Sequence, residues 1–202
     1  ITQNASVTVK AADNLTFTGS FPATPFTLDG EKIVTMTSSG ITGTNKVTVA
    51  SGNTLKSTAT FLDGKTIDGA GNITVDTLNT DSTADLSGIT TSGTNIVITN
   101  NNLDFSGNFL NANFDLSGGN IVTMKSDGIR TGKTVSVLTG NTLKSTATFL
   151  DGKTINGDGN ITVDTLNTDL AADLSGITTS GTNIVITNDT IEAFTGKFIQ
   201  AN

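Results

Sequence analysis

Apolar and polar residues alternate along the chain in short runs, as in Ser6-Val7-Thr8-Val9, Ile73-Thr74-Val75-Asp76, residues 45–49 and residues 95–99. β-Branched residues at every second position suit a pleated, half-buried strand, and each run is bounded by Gly, Asn or Asp. Asp29-Gly30, Asp63-Gly64, Asp68-Gly69, Ser92-Gly93 and the pair Gly52-Asn53 supply the positive-φ residues that tight turns require. No window shows a 3.6-residue periodicity, and Thr, Asn and Gly are poor helix formers. The pattern leaves room for a single helical turn over residues 81–85, and again over residues 169–173.

The strand pattern is written twice. Residues 52–100 recur as residues 140–188, an offset of 88, with only four positions differing: Asp68 against Asn156, Ala70 against Asp158, Ser82 against Leu170 and Thr83 against Ala171. Upstream the repetition is looser and keeps the apolar skeleton. Phe17, Phe21 and Phe26 return as Phe105, Phe109 and Phe114, and Ile33-Val34-Thr35-Met36 as Ile121-Val122-Thr123-Met124, while polar positions between them drift. These Phe residues are therefore expected in the core. The boundaries that follow are the end of a preceding repeat at 1–14, repeat 1 at 15–102, repeat 2 at 103–190, and the start of a third at 191–202, where Phe194, Gly196 and Phe198 reappear after a one-residue insertion. Both ends continue the pattern, as expected of a piece of a longer array.

Short strands every 8 to 12 residues fit a β-solenoid or a β-sandwich. A sandwich usually packs a Trp or Tyr between its sheets, and the chain has neither; its 10 aromatic residues are all Phe. An all-β, elongated solenoid of about four coils of roughly 20–25 residues per repeat accounts for the smaller echoes inside each unit, with tandem immunoglobulin-like sandwiches as the alternative. At 35% hydrophobic residues, the 202-residue chain is too apolar for disorder and too polar for a thick globular core, which again suits a thin one.

Charge and composition narrow the chemistry. The net charge of −7, with eleven Lys and Arg, offers no basic stripe for nucleic acid. With no Cys and no His, Cys/His zinc sites, disulfides and Ser-His-Asp or Cys-His catalysis are excluded. No apolar stretch is long enough to span a bilayer as a helix. The turn over residues 62–72, with its Asp, Gly and Asn residues, and its copy over residues 150–160 present hard oxygen ligands, so Asp63, Asp68, Asp151 and Asp158 are the candidate ligands of a Ca²⁺ ion. Plain turn chemistry is the competing account, since the carboxylate moves from position 68 to the equivalent of position 70 between copies. Paired acids such as Asp81 with Asp85, or Asp63 with Asp68, read as turn carboxylates rather than a glycosidase pair, because no Trp or Tyr platform accompanies them. The Thr-x-Thr pieces Thr16-Phe17-Thr18 and Thr35-Met36-Thr37, of the kind that orders water on ice-binding faces, do not read as recurring at coil spacing. Five Asn-x-Ser/Thr sequons begin at Asn4, Asn14, Asn72, Asn160 and Asn188, as many as an Asn- and Thr-rich chain produces by chance.

Ala84-Asp85-Leu86-Ser87-Gly88-Ile89-Thr90 and Gly93-Thr94-Asn95-Ile96-Val97-Ile98-Thr99 resemble the repetitive regions of large bacterial surface-layer and RTX-type adhesin proteins. That resemblance implies type I secretion, calcium-assisted folding outside the cell, and a role in a lattice or in attachment. The RTX nonapeptide itself is missing. The Gly71-Asn72-Ile73-Thr74-Val75 phrase is similar to phage tail-fibre shafts, which implies an obligate trimer. The expectation is a non-enzymatic structural repeat segment at the cell surface or outside it, whose partners are copies of itself or a cell-surface polymer. A carbohydrate- or protein-binding module is the alternative, and the sequence leaves the oligomeric state open.

Overall fold

The computed structural model describes residues 7–42, 45–187 and 193–200. They form a parallel β-solenoid. The strands of the first half are β1 (Val7–Lys10), β2 (Leu15–Phe17), β3 (Phe26–Asp29), β4 (Ile33–Met36), β5 (Val47–Val49), β6 (Thr54–Ser57), β7 (Ile67–Asp68) and β8 (Asn72–Val75). Those of the second are β9 (Ile96–Ile98), β10 (Leu103–Phe105), β11 (Phe114–Ser117), β12 (Ile121–Met124), β13 (Thr134–Val137), β14 (Thr142–Thr146), β15 (Thr154–Asn156), β16 (Asn160–Thr165) and β17 (Asn183–Val185). Every pairing among them is parallel, with partners one coil apart, as in Val7 beside Phe26 and Phe26 beside Val47. One sheet of eight strands runs β2-β4-β6-β8-β9-β11-β13-β15, and Ile177 bridges Ile155 as a ninth level. The stack is continuous through both repeats, which excludes separate sandwich domains.

Alternation along each strand sends one set of side chains inward. Phe26 and Leu28, Val47 and Val49, Leu55, Ile73 and Val75 are all at most 2% exposed and belong to one core that extends through both repeats. The expected Phe residues make its thickest part. Phe105, Phe109 and Phe114 are buried, with ring centroids 4.6 and 5.1 Å apart; in repeat 1 the Phe17–Phe21 and Phe21–Phe26 separations are 4.5 and 4.7 Å. Phe17 alone is only partly buried. It lies in the first described coil, whereas its counterpart Phe105 is covered from below by the coil whose Ser82 carbonyl accepts the Ser106 N–H. Phe194 and Phe198 pair in the same way at 4.4 Å.

The repeat is not a whole number of coils. β1 and its 88-residue counterpart β9 lie in different sheets, as do β2 and β10. The sheet of β2, β4, β6 and β8 takes in β9, the last strand of repeat 1, through the pairing of Thr74 with Ile96 and Val75 with Val97, and continues into β11, β13 and β15 of repeat 2. The same handover recurs one repeat later, where β17, the last strand of repeat 2, joins the sheet of β10, β12, β14 and β16. Each repeat therefore comprises four coils and one further side, so equivalent faces of successive repeats point in different directions.

Three sequence expectations need correction. The helical turns fall at α1 (Ala59–Leu62) and α2 (Ala147–Leu150), with 3₁₀ turns at Leu78–Thr80 and Leu166–Thr168, and not at residues 81–85 and 169–173. In α1, Ala59 and Leu62, three apart, both face the core, while Asp81 closes a non-helical turn by accepting the Thr83 N–H and Oγ1–H. Gly30, Gly52, Gly64 and Gly69 do take positive φ, but Gly93 and Asn53 do not. Finally, Thr16 stacks on Thr35 at one-coil spacing, so the Thr-x-Thr pieces do recur, until Lys56 replaces Thr on the next coil.

The one non-glycine residue with positive φ among those described is Glu31, at 58°; its counterpart Gly119 takes 74° without a Cβ penalty. Glu31→Gly is expected to raise stability by about 0.5–1 kcal/mol, after the opposing gain in unfolded-state entropy, in denaturant titration. Phe105→Ala is expected to cost about 3–5 kcal/mol in the same assay, and a loss below about 1 kcal/mol would contradict its place in the core.

Candidate functional site

Most polar side chains here tie one coil to the next. Asn side-chain oxygens accept backbone N–H groups from neighbouring coils: Asn14 from Ile33, Asn72 from Thr94, Asn102 from Ile121, Asn113 from Thr134 and Asn160 from Thr182, at 2.8–2.9 Å. The sequon residues Asn14, Asn72 and Asn160 are thus structural, and Asn4 and Asn188 lie outside the described residues. Buried Asn95 interrupts the aliphatic ladder where the repeats join. Its Oδ1 accepts the Ile73 N–H and the Thr91 hydroxyl, and its Nδ2 donates to the carbonyls of Thr91, Gly93 and Asn113. Asn183 repeats the Thr and Gly contacts with Thr179 and Gly181.

Ion pairs do the same work. The seven among the described residues all join a Lys to an Asp on a neighbouring coil, including Lys56–Asp76 at 2.9 Å and its copy Lys144–Asp164 at 2.8 Å. Lys153 is buried, its Nζ 2.6 Å from Asp127 Oδ1 and donating to the Ile129 carbonyl at 2.8 Å. The counterpart Lys65 is only half-buried, and Ser39 stands where Asp127 does.

The four candidate calcium ligands have separate duties. Asp63 Oδ1 accepts the Asp85 N–H at 2.7 Å, and Asp151 Oδ1 the Asp173 N–H at 2.6 Å. Asp68 is held by Lys46 at 2.6 Å and by the Thr48 hydroxyl at 2.8 Å, and Asp158 accepts the Ser180 hydroxyl at 2.7 Å. Among the described residues, no three acidic side chains come together as a metal site.

A concavity of about 490 Å³ lies on the outer face where repeat 1 passes into repeat 2, lined by Gly93, Thr94, Asn95, Asn113, Phe114, Asp115, Thr134, Ser136 and Asn156. A second hollow of about 220 Å³ shares Gly93 and Asn113 with it and reaches Lys133. Strand register builds the floor: Asp115 lies beside Ser136, and Ser136 beside Asn156, each outward-facing while Phe114, Val135, Val137 and Ile155 point into the core. The turn after β15 is made by Gly157, with φ 101°, where a Cβ would collide with the Val137 carbonyl one coil below. Sequence reading missed this groove because its polar residues come from four coils. The signal available was divergence, since Asn156 and Asp158 are two of the four changes in the near-identical stretch.

No protein-family model, curated protein or solved structure matches the chain.

The Lys197 ammonium, bonded to Asp173 at 2.7 Å, and then the Ser175 side chain and N–H hold the Asp173 carboxyl down at about 2, and the same pair raises Lys197. A depressed carboxyl pKa contributes stability that is complete above the ordinary carboxylate range and is lost as pH falls toward 2; the raised Lys197 contribution is lost only in strong alkali. Melting temperature between pH 5 and 2 is therefore expected to fall less steeply in Asp173→Asn than in the native chain. Parallel curves would remove the pair from the pH response.

Proposed function

We propose that this chain is a non-enzymatic structural repeat segment of a surface-layer, adhesin or fibre protein, working at the cell surface or outside the cell to give length or lattice contacts. The observation that carries this reading is the handover of one sheet from repeat to repeat, which lets near-identical units extend one core without a joint. A solenoid of this kind gains stability from neighbouring coils and lengthens in proportion to repeat number. Its carboxylates support the same reading, since those of Asp29, Asp68, Asp76, Asp104, Asp127, Asp164 and Asp173 are spent on ties between coils. Each chain closes its own core, which favours a single-chain shaft over an obligate trimer with a shared one. No described helix is long and apolar enough to cross a membrane.

With strands about 4.8 Å apart, four coils and one further side add roughly 20 Å along the axis. Inserting a further copy of residues 15–102 is expected to lengthen the particle by about that amount in small-angle scattering, with unchanged cross-section. A particle that instead gains width, or behaves as flexibly joined beads, would refute the shaft.

A further inference from the structure

We propose that the outer groove of repeat 2 is a binding site for a neutral linear glycan. This goes beyond the structural role, which needs no groove.

Comparison of the two repeats on one backbone carries the inference. In repeat 1 the outward positions Thr27, Lys46, Thr48 and Asp68 form a closed surface: Lys46 and the Thr48 hydroxyl both bond Asp68. The 88-residue counterparts are Asp115, Thr134, Ser136 and Asn156. They hold the same strand register, with Thr27 beside Thr48 and Thr48 beside Asp68 in one repeat, and Asp115 beside Ser136 and Ser136 beside Asn156 in the other. Yet among the described residues no hydrogen bond or ion pair engages these four side chains. The ion pair has been replaced by hydroxyls and an amide with unused donors and acceptors, over a hollow of about 490 Å³. That volume is within the roughly 300–1,000 Å³ usual for ligand sites.

The chemistry of the lining selects the ligand. At the four counterpart positions, two hydroxyls, an amide and the lining's one carboxylate, spaced about 4.8 Å from coil to coil and nearly 7 Å between alternate residues on a strand, match a ligand with hydroxyls along its length. A single carboxylate in a chain of net charge −7 disfavours polyanions. A protein partner would want a buried aromatic or Arg centre, whereas the only ring in the lining, that of Phe114, is turned into the core.

The test transplants the closed surface. Wild-type protein and Thr134→Lys/Asn156→Asp, which rebuilds the Lys46–Asp68 pair, are titrated calorimetrically with neutral hexasaccharides (cellohexaose, xylohexaose, laminarihexaose, chitohexaose) and with oligogalacturonate. Wild type should bind at least one neutral hexasaccharide at one site per chain, and bind oligogalacturonate at least tenfold more weakly. The double variant should lose at least tenfold in affinity while its melting temperature is maintained, because repeat 1 already carries that pair. If the variant melts early, Ser136→Ala, which removes only one hydroxyl, replaces it and should weaken binding severalfold. The proposal is overturned if no neutral hexasaccharide binds at millimolar concentration, if closing the groove leaves affinity unchanged, or if oligogalacturonate binds as tightly as the neutral ligands. None of these outcomes bears on particle length, so the shaft reading stands or falls separately.

Discussion

Everything in this molecule depends on satisfying the backbone of each coil with the coils above and below it. A parallel strand has no hairpin partner of its own, and a two-to-six-residue strand is far too short to be stable alone. The core is thin because each coil contributes only a few inward side chains, so polar ties between coils become a second structural system. That explains a composition rich in Asn, Thr and Asp. An Asn side chain at a coil corner offers an acceptor to an N–H that the turn leaves unpaired, as Asn72 does for Thr94 and Asn160 for Thr182. Among the described residues, no buried side-chain polar atom lacks a partner.

The same constraint decides how the repeats join. Two closed domains would need capped ends between them; here a sheet of one repeat carries on, through its last strand, into the next. Asn95 marks the place of exchange, standing in the buried ladder between Ile73 and Phe114, where both its amide and its carbonyl find partners on three coils. An apolar residue there would abandon the carbonyl groups of Gly93 and Asn113. The side-step of the sheets also means that a surface feature cannot form a straight stripe over several repeats.

Fold and core were legible because burial imposes a period. Phe105, Phe109 and Phe114 could be picked out by persistence at 88-residue spacing, and the strand alternation by β-branched residues. The turn at Ala59–Leu62 was hidden by its own brevity: two buried residues three apart give no periodicity to detect, and Thr residues surround them. The shift of sheets was also invisible, since it depends on how many residues each coil spends at its corners, and successive partners differ by 19 residues from Val7 to Phe26 but 21 from Phe26 to Val47. The candidate calcium ligands show how far sequence proximity reaches in such a fold. Asp63 and Asp68 are close in sequence, yet one caps a loop on the next coil and the other faces out beside Thr48, because sequence proximity in a solenoid places residues on different sides.

Divergence between the copies separates the two kinds of position. All four changes between residues 52–100 and 140–188 fall at exposed or half-buried sites, while every buried residue in that stretch is retained. An inward substitution would disturb the coils on both sides at once, so a core written once is most safely copied unchanged. An outward one alters a single surface and leaves the hydrogen-bonded ladder intact. Replacing Asp68 by Asn at position 156, together with Lys46 by Thr at position 134, removes an ion pair without removing a backbone bond: Val135 still pairs Ile155 as Val47 pairs Ile67. The backbone that makes these repeats stack therefore carries no information about what their outer faces bind. Any binding chemistry in such an array must be sought where equivalent residues of successive repeats disagree.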